Sequence, residues 1–283
     1  MGLNFEEYRT KINLAPYPRP ELLSAAEKDE ACGTLLKFLL RERGMIAAFS
    51  VGLERKRELV REHMNVRPAL PLPQDILAVQ DALFWTESVE RGIVDVKELP
   101  QQKYGISLWQ GDITRLNADG IVNAANKSLL GCFLPGHRCI DNTIHSFAGM
   151  QLRGDCARLI ALQGQEEEAG EAKITRAYNL PSKYVLHSVA PMVGRELLES
   201  DRAELRSVYN SCLDLAAEAG LKSLAFCCIG TGVFNFPRAT AAEIAAGAVV
   251  NWKLRHPEND LHIIFNTYLP EDTKIYESIL HMM

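Results

Sequence analysis

From Ile106 onward, short apolar runs alternate with helical stretches, and nothing else in the chain limits its possible folds as strongly. The runs cover 106–113, 120–124, 173–180, 183–189, 224–229 and 261–265. Helical stretches follow Asp141, span about 201–219, run from Pro237 to about Leu254, and close the chain at Met283. This alternation predicts an α/β sheet with helices on both faces. Ligands of such folds bind in crevices beyond the carboxyl ends of the strands.

The first 104 residues have a different texture. Pro16, Pro18 and Pro20 punctuate the start; Leu22, Leu23, Ala26, Leu35, Leu36, Leu39 and Leu40 then recur at helical spacing up to Gly44. A more polar helix is predicted over 53–65. After Pro68, Pro71 and Pro73, a third is predicted from Ile76 through Val79, Leu83 and Trp85 towards Gly92. No catalytic constellation lies here. The segment reads as a helical cap on the main domain, with a partner-binding surface or a lid as the competing readings. A chain of 283 residues accommodates a domain of about 170–190 residues plus such an extension.

Charge and cysteine content exclude several classes. The net charge is −5 and no run of Lys and Arg with interleaved aromatics is present, which disfavours non-specific nucleic-acid binding. The N-terminus is acidic rather than signal-like, and Glu6 stands where myristoylation needs Ser or Thr. No uncharged apolar stretch reaches the about 18 residues a membrane span requires. Seven cysteines, odd in number and irregularly spaced, fit a reducing cytosol in which thiols serve packing or metal. The expected location is cytoplasmic.

Within residues 131–145, Cys132, His137 and Cys139 fall in eight positions, and Asp141 follows. Two thiolates and an imidazole are zinc ligands, and a zinc with three protein ligands keeps a fourth position for water or substrate. The spacing matches no standard ligand pattern, so packing competes with metal binding. His145, one helical turn after Asp141, is a fourth ligand or a core residue. A zinc nucleobase deaminase would need His-x-Glu and Pro-Cys-x-x-Cys, and the chain has neither.

Three more loops carry chemistry. Asp112 follows the first strand; it accepts from an exocyclic amine such as that of adenine, or forms an Asx turn. The run Ile121-Val122-Asn123-Ala124-Ala125-Asn126 ends a strand in small residues and amides. Its amides suit ribose hydroxyls, and a loop-stabilising role is expected of Asn123 more than of Asn126. Gly230-Thr231-Gly232-Val233-Phe234 lies between a strand and a helix starting near Pro237, where backbone N–H groups can face a phosphate. Cys227 and Cys228 are adjacent in the predicted strand, so they face opposite ways and cannot line one site.

These pieces resemble the macrodomain family. The match runs through Gly111-Asp112-Ile113-Thr114, then 118–126, then Ile140-Asp141-Asn142-Thr143-Ile144-His145 with Ala148-Gly149, then 230–234 with Pro237. Most hydrolytic macrodomains have a run of glycines before the Ile/Val-Asp, and here Cys132 to Cys139 replaces it. That departure resembles the zinc-containing microbial subclass, which also carries a helical N-terminal extension.

The resemblance implies a three-layer α/β/α macrodomain over 92–283 with a mixed six-stranded sheet, preceded by a helical extension over 1–91. It implies an ADP-ribose cleft in which Asp112 and Ile113 hold adenine and Gly230, Thr231, Gly232, Val233 and Phe234 wrap the diphosphate. Phe265 is a further candidate for stacking on adenine. Asn126 would hold the distal ribose, Asp141 would lie near its anomeric carbon, and Cys132, His137 and Cys139 would bind Zn²⁺. The implied activity is hydrolysis of mono-ADP-ribose from protein side chains, Asp/Glu-linked in this subclass, with Asn126 and Asp141 catalytic. A lipoyl-carrier protein is one implied substrate. A non-catalytic ADP-ribose reader and an O-acetyl-ADP-ribose deacetylase are the alternatives. Two thiolates and a neutral imidazole neutralise the ion, so substrate positioning is expected of the zinc ahead of water activation.

Overall fold

The computed structural model describes residues 2–283. Four helices open the chain: α1 (Phe5–Tyr8), α2 (Ala25–Glu42), α3 (Leu53–Val66) and α4 (Gln74–Glu90). A Ser24/Glu27 capping box starts α2, pairing two amide donors that a helix end leaves free. Cys32, Leu35, Leu36 and Leu39 of α2, Val60 and Met64 of α3, and Leu83 and Phe84 of α4 form a core of their own, which Met150 joins from the following domain. Glu87 is buried among them. Burial alone would raise its carboxyl, but Arg61 and Arg57 outweigh that and hold it below the usual range.

The first residues behave differently from the rest of the extension. Phe5, Tyr8 and Ile12 pack into the core of the sheet domain, not into the three-helix core. Hydrophobic packing thus crosses residue 91 in both directions, through this opening segment and through Met150.

After a short parallel ladder of β1 (Val94–Asp95) with β3 (Leu116–Asn117), six strands form the main sheet: β2 (Ile106–Gln110), β4 (Gly120–Ala125), β5 (Ala172–Arg176), β6 (Tyr184–Val189), β7 (Ser223–Phe226) and β8 (His262–Thr267). Their order is β2-β8-β7-β4-β6-β5, parallel except for β5 against β6. Every residue of β8 is buried, as a parallel strand covered on both faces should be. Helices α7 (Glu199–Glu218), α8 (Arg238–Arg255) and α9 (Pro270–His281) lie side by side, while α5 (Ile140–Ala148) and α6 (Met150–Gln163) pack against β4 and β5. The edge strand β5 meets the N-terminus: the Ile174 N–H donates to the Tyr8 hydroxyl at 2.9 Å.

Three strands are shorter than the apolar runs suggest. β2 stops at Gln110 because Asp112 accepts from the Thr114 N–H and coils 113–115 into a turn. β5 stops at Arg176, just before Tyr178 takes a left-handed φ of 51°. β7 stops at Phe226, so Cys227 and Cys228 lie past the strand, in the loop.

Candidate active site

The parallel strands place the carboxyl ends of β2, β4, β6, β7 and β8 along one edge of the sheet. Asp141 stands there, in the first turn of α5 and 5% exposed. Its Oδ1 accepts from Asn123 Nδ2 at 2.7 Å, and its Oδ2 lies 3.4 Å from Asn126 Nδ2. Burial pushes its carboxyl up to about 6, against the Asn123 bond that favours the carboxylate. His145 Nε2 lies 3.5 Å from Oδ1, but burial holds that imidazole well below its ordinary value, so it is neutral and the contact is not an ion pair.

The two asparagines divide the work in the reverse of the expected order. Asn126 carries the loop bonds: its Oδ1 accepts from the Ser128 N–H at 3.1 Å and its Nδ2 donates to the Gly131 carbonyl at 2.9 Å. Asn123, fully buried in β4, aims its amide at Asp141. Behind it, His187 Nδ1 is 3.2 Å from Asn123 Nδ2 and His187 Nε2 is 2.9 Å from Thr175 Oγ1. An amide donor facing Nδ1 assigns the ring proton to Nε2, which donates to Thr175. Burial pushes His187 down to about 3. His145, Cys156 and His187 bring nitrogen and sulfur atoms within 4.8 Å of one another, but both nitrogens of His187 are occupied by these partners. The cluster is a polar core beneath Asp141.

Cys132, His137 and Cys139 converge, their candidate ligand atoms all within 4.8 Å of one another. Cys132 Sγ is 3.3 Å from His137 Nδ1. Sulfur and nitrogen bound to one tetrahedral zinc stand about 3.5 Å apart, given Zn–S of about 2.3 Å and Zn–N of about 2.0 Å. The donor set and spacing therefore fit the expected ion. Cys139 is also the N-cap of α5, its sulfur accepting from the Asn142 N–H at 3.4 Å. Burial pushes its thiol up to about 11. His145 faces Asp141 rather than this trio, so it is not the fourth ligand.

At the other end of the edge, Asp112 forms the Asx turn and also accepts from Arg91 Nη1 at 3.1 Å. Arg91 comes from the C-cap of α4 and lies 3.6 Å over the Phe147 ring. Tyr268, the residue after β8, is 73% exposed beside this loop; the Gly111 N–H donates to Thr267 O, and Gln110 Nε2 lies 3.4 Å from Tyr268 O. Phe265 cannot fill the stacking role expected of it. It is buried inside β8, with its ring 4.9 Å from Tyr276 and 6.5 Å from Phe226.

Residues 230–234 form a turn between β7 and α8. Gly230 has a φ of 80°, Thr231 Oγ1 donates to Cys228 O at 2.8 Å, and the Phe236 N–H returns to Gly230 O. Among the described residues, the N–H groups of Gly232, Val233 and Phe234 have no protein acceptor. A run of free amides beside a helix N-terminus suits an anion. Ile113, by contrast, is buried with 2% exposure, so it contributes its backbone and packing rather than an open side chain.

His187, Arg91 and Tyr268 carry no motif that marks them in the sequence, while Asn123 lies in the 121–126 run but is expected there to stabilise the loop. Of these three, only Tyr268 has a local signal, as an aromatic three residues past an apolar run.

Comparison with known proteins places this geometry. The Macro domain family model matches residues 122–245. A Treponema medium protein named protein-ADP-ribose hydrolase is 43% identical over 253 residues, covering 87% of this chain and 96% of that protein. A Staphylococcus aureus (strain MRSA252) protein of the same name is 46% identical over 222 residues, covering 78% and 83%. The solved Trypanosoma brucei macrodomain in complex with ADP-ribose superposes with a TM-score of 0.59 at 29% identity, covering 77% of this chain and 94% of that one.

Proposed function

Because this chain belongs to the Macro domain family, we propose that it is a protein-ADP-ribose hydrolase, the activity its relatives' names carry. Its substrate on this reading is mono-ADP-ribose on a protein Asp or Glu, a modified lipoyl-carrier protein being one candidate. The free amides of 232–234 receive the diphosphate, the Asp112 loop with Tyr268 receives the adenine, and Asn126 with Asp141 faces the distal ribose. Water adds across one C–O bond of the ester; ADP-ribose leaves with a hydroxyl and the side-chain carboxyl is restored. Asp141 Oδ2, held only at 3.4 Å, is the oxygen free to orient water or take its proton. Zinc held by Cys132, His137 and Cys139 would supply a Lewis-acid charge for a ribose or leaving oxygen.

The single observation favouring an enzyme over a reader is the buried Asp141 carboxyl, shifted to about 6 and braced by two amides beside a ready metal-ligand trio. A reader needs none of these. The exposed Phe133, Leu134 and Val233 suit contact with the modified protein.

The test is release of ADP-ribose from an Asp/Glu-modified protein by purified wild type, Asp141→Ala and Cys139→Ala, with zinc quantified in each. O-acetyl-ADP-ribose is run as the competing substrate. Turnover by wild type and its loss in both variants is the expected result. Intact ADP-ribose binding without any turnover would leave a reader. Full activity in a metal-free wild type would remove zinc from the reaction.

A further inference from the structure

The metal-ligand loop between Gly131 and Cys139 has no regular structure, so something else must hold its middle. That role falls to a residue 71 positions earlier, on the helical extension. Asn65, near the end of α3 and 2% exposed, accepts at Oδ1 from the Gly136 N–H at 3.0 Å and from Asn142 Nδ2 at 3.1 Å. Its Nδ2 donates to Ser146 Oγ at 2.9 Å. Asn142 Nδ2 donates its other hydrogen to the His137 carbonyl at 2.7 Å. Asn65 is thus one bond from Gly136 and two from the backbone of a candidate zinc ligand.

A second tether runs the other way. Arg153 of α6 donates from Nη1 to Met64 O at 3.0 Å and to Arg67 O, and from Nη2 to Asn65 O at 3.2 Å. All three carbonyls lie at the end of α3, where a helix leaves its last carbonyls short of partners; Met64 O also accepts from the Arg67 N–H. The same guanidinium donates from Nε to Leu130 O at 2.6 Å and lies 4.5 Å from the Phe133 ring, at the start of the loop.

We infer that Asn65 is a positioning residue for the metal site, and that the end of α3 is a fixed wall of that site rather than a lid. Lid opening would break the buried Asn65 and Arg153 bonds together. Groups that hold metal ligands without touching the ion typically contribute 10–100-fold to metal affinity. The inference rests on the zinc reading of Cys132, His137 and Cys139.

The experiment measures zinc affinity of the full chain by competition with a chromophoric chelator. Wild type, Asn65→Ala, Ser146→Ala and Asn142→Ala are compared, with circular dichroism to confirm folding. Asn65→Ala is expected to bind zinc about 10–100-fold more weakly. Ser146→Ala cuts only the donor side of Asn65, and its affinity is expected to stay near that of wild type. Asn142→Ala severs the His137 arm from within the sheet domain; a loss like that of Asn65→Ala is expected, and this variant decides the matter if Asn65→Ala does not fold. A wild type without zinc would sink both the metal reading and this one. A zinc-binding wild type with equally tight Asn65→Ala, or Asn142→Ala in its place, would overturn this one alone.

Discussion

Asn123 Nδ2 stands 2.7 Å from Asp141 Oδ1, and it is the shortest bond that the candidate catalytic carboxyl receives. A hydrogen bond to a charged group contributes about 1.5–3 kcal/mol. Asn123→Ala should therefore lower kcat about 10–100-fold, at roughly 1.4 kcal/mol per tenfold, while KM changes little. Steady-state kinetics of ADP-ribose release checks this, and a variant that loses only KM would place Asn123 in binding instead.

Tyr268 offers an open aromatic face next to the Asp112 loop. Stacking a base on such a face contributes about 1–3 kcal/mol. Tyr268→Ala should weaken ADP-ribose binding by at least about fivefold in calorimetry. Asp112→Ala should also weaken it, and in addition frees Arg91 from its carboxylate partner. Unchanged affinity in Asp112→Ala would refute the adenine assignment.

Acid should unfold this protein through its buried imidazoles. His187 is held down at about 3 by burial, and His145 is held well below its ordinary value. A depressed folded-state pKa means the unfolded chain binds the extra proton first. The stability from keeping each ring neutral is therefore complete above about pH 6.5 and drains as pH falls towards the folded value. Each such histidine should contribute about 1.4 kcal/mol per pH unit in that window. Urea unfolding at pH 7 and pH 5 measures the slope, and His187→Gln should remove one histidine's share.

Gly149 joins α5 to α6 with a φ of 110°. A Cβ there would sit 2.7 Å from both Gln80 Nε2 and Gln151 Oε1. Gly149→Ala should destabilise the fold by at least about 1–3 kcal/mol from the backbone alone. Because α5 carries Asp141 and is capped by Cys139, activity should fall more than thermal stability does. A thermal melt and a rate measurement on the same sample separate the two.

Local sequence carried much of the architecture. Apolar runs bounded by turn residues located all six strands of the main sheet, and the Gly and Pro punctuation located α2, α3 and α4. The convergence of Cys132, His137 and Cys139 was legible because these residues are close in the chain. Asn65 was not, since its contact with Gly136 spans 71 positions and leaves no periodic trace. The role of Asn123 is hidden for a related reason: a strand covered on both faces has no alternation to show which residue looks towards the site. The same loss of alternation made Phe265 look available when it is core.

The Tyr8 hydroxyl bonded to the Ile174 N–H has a bearing on how these molecules behave towards one another. β5 is the outer strand of an otherwise fully paired side of the sheet, and an unpaired outer strand invites strand addition from another copy. The Tyr8 hydroxyl takes one N–H of that row from within the same chain, and Phe5 and Ile12 cover apolar surface of the same domain. Removing the first dozen residues would free that N–H and bare the apolar surface under Phe5 and Ile12. The expected cost is self-association at high concentration, even in a molecule whose cleft is untouched.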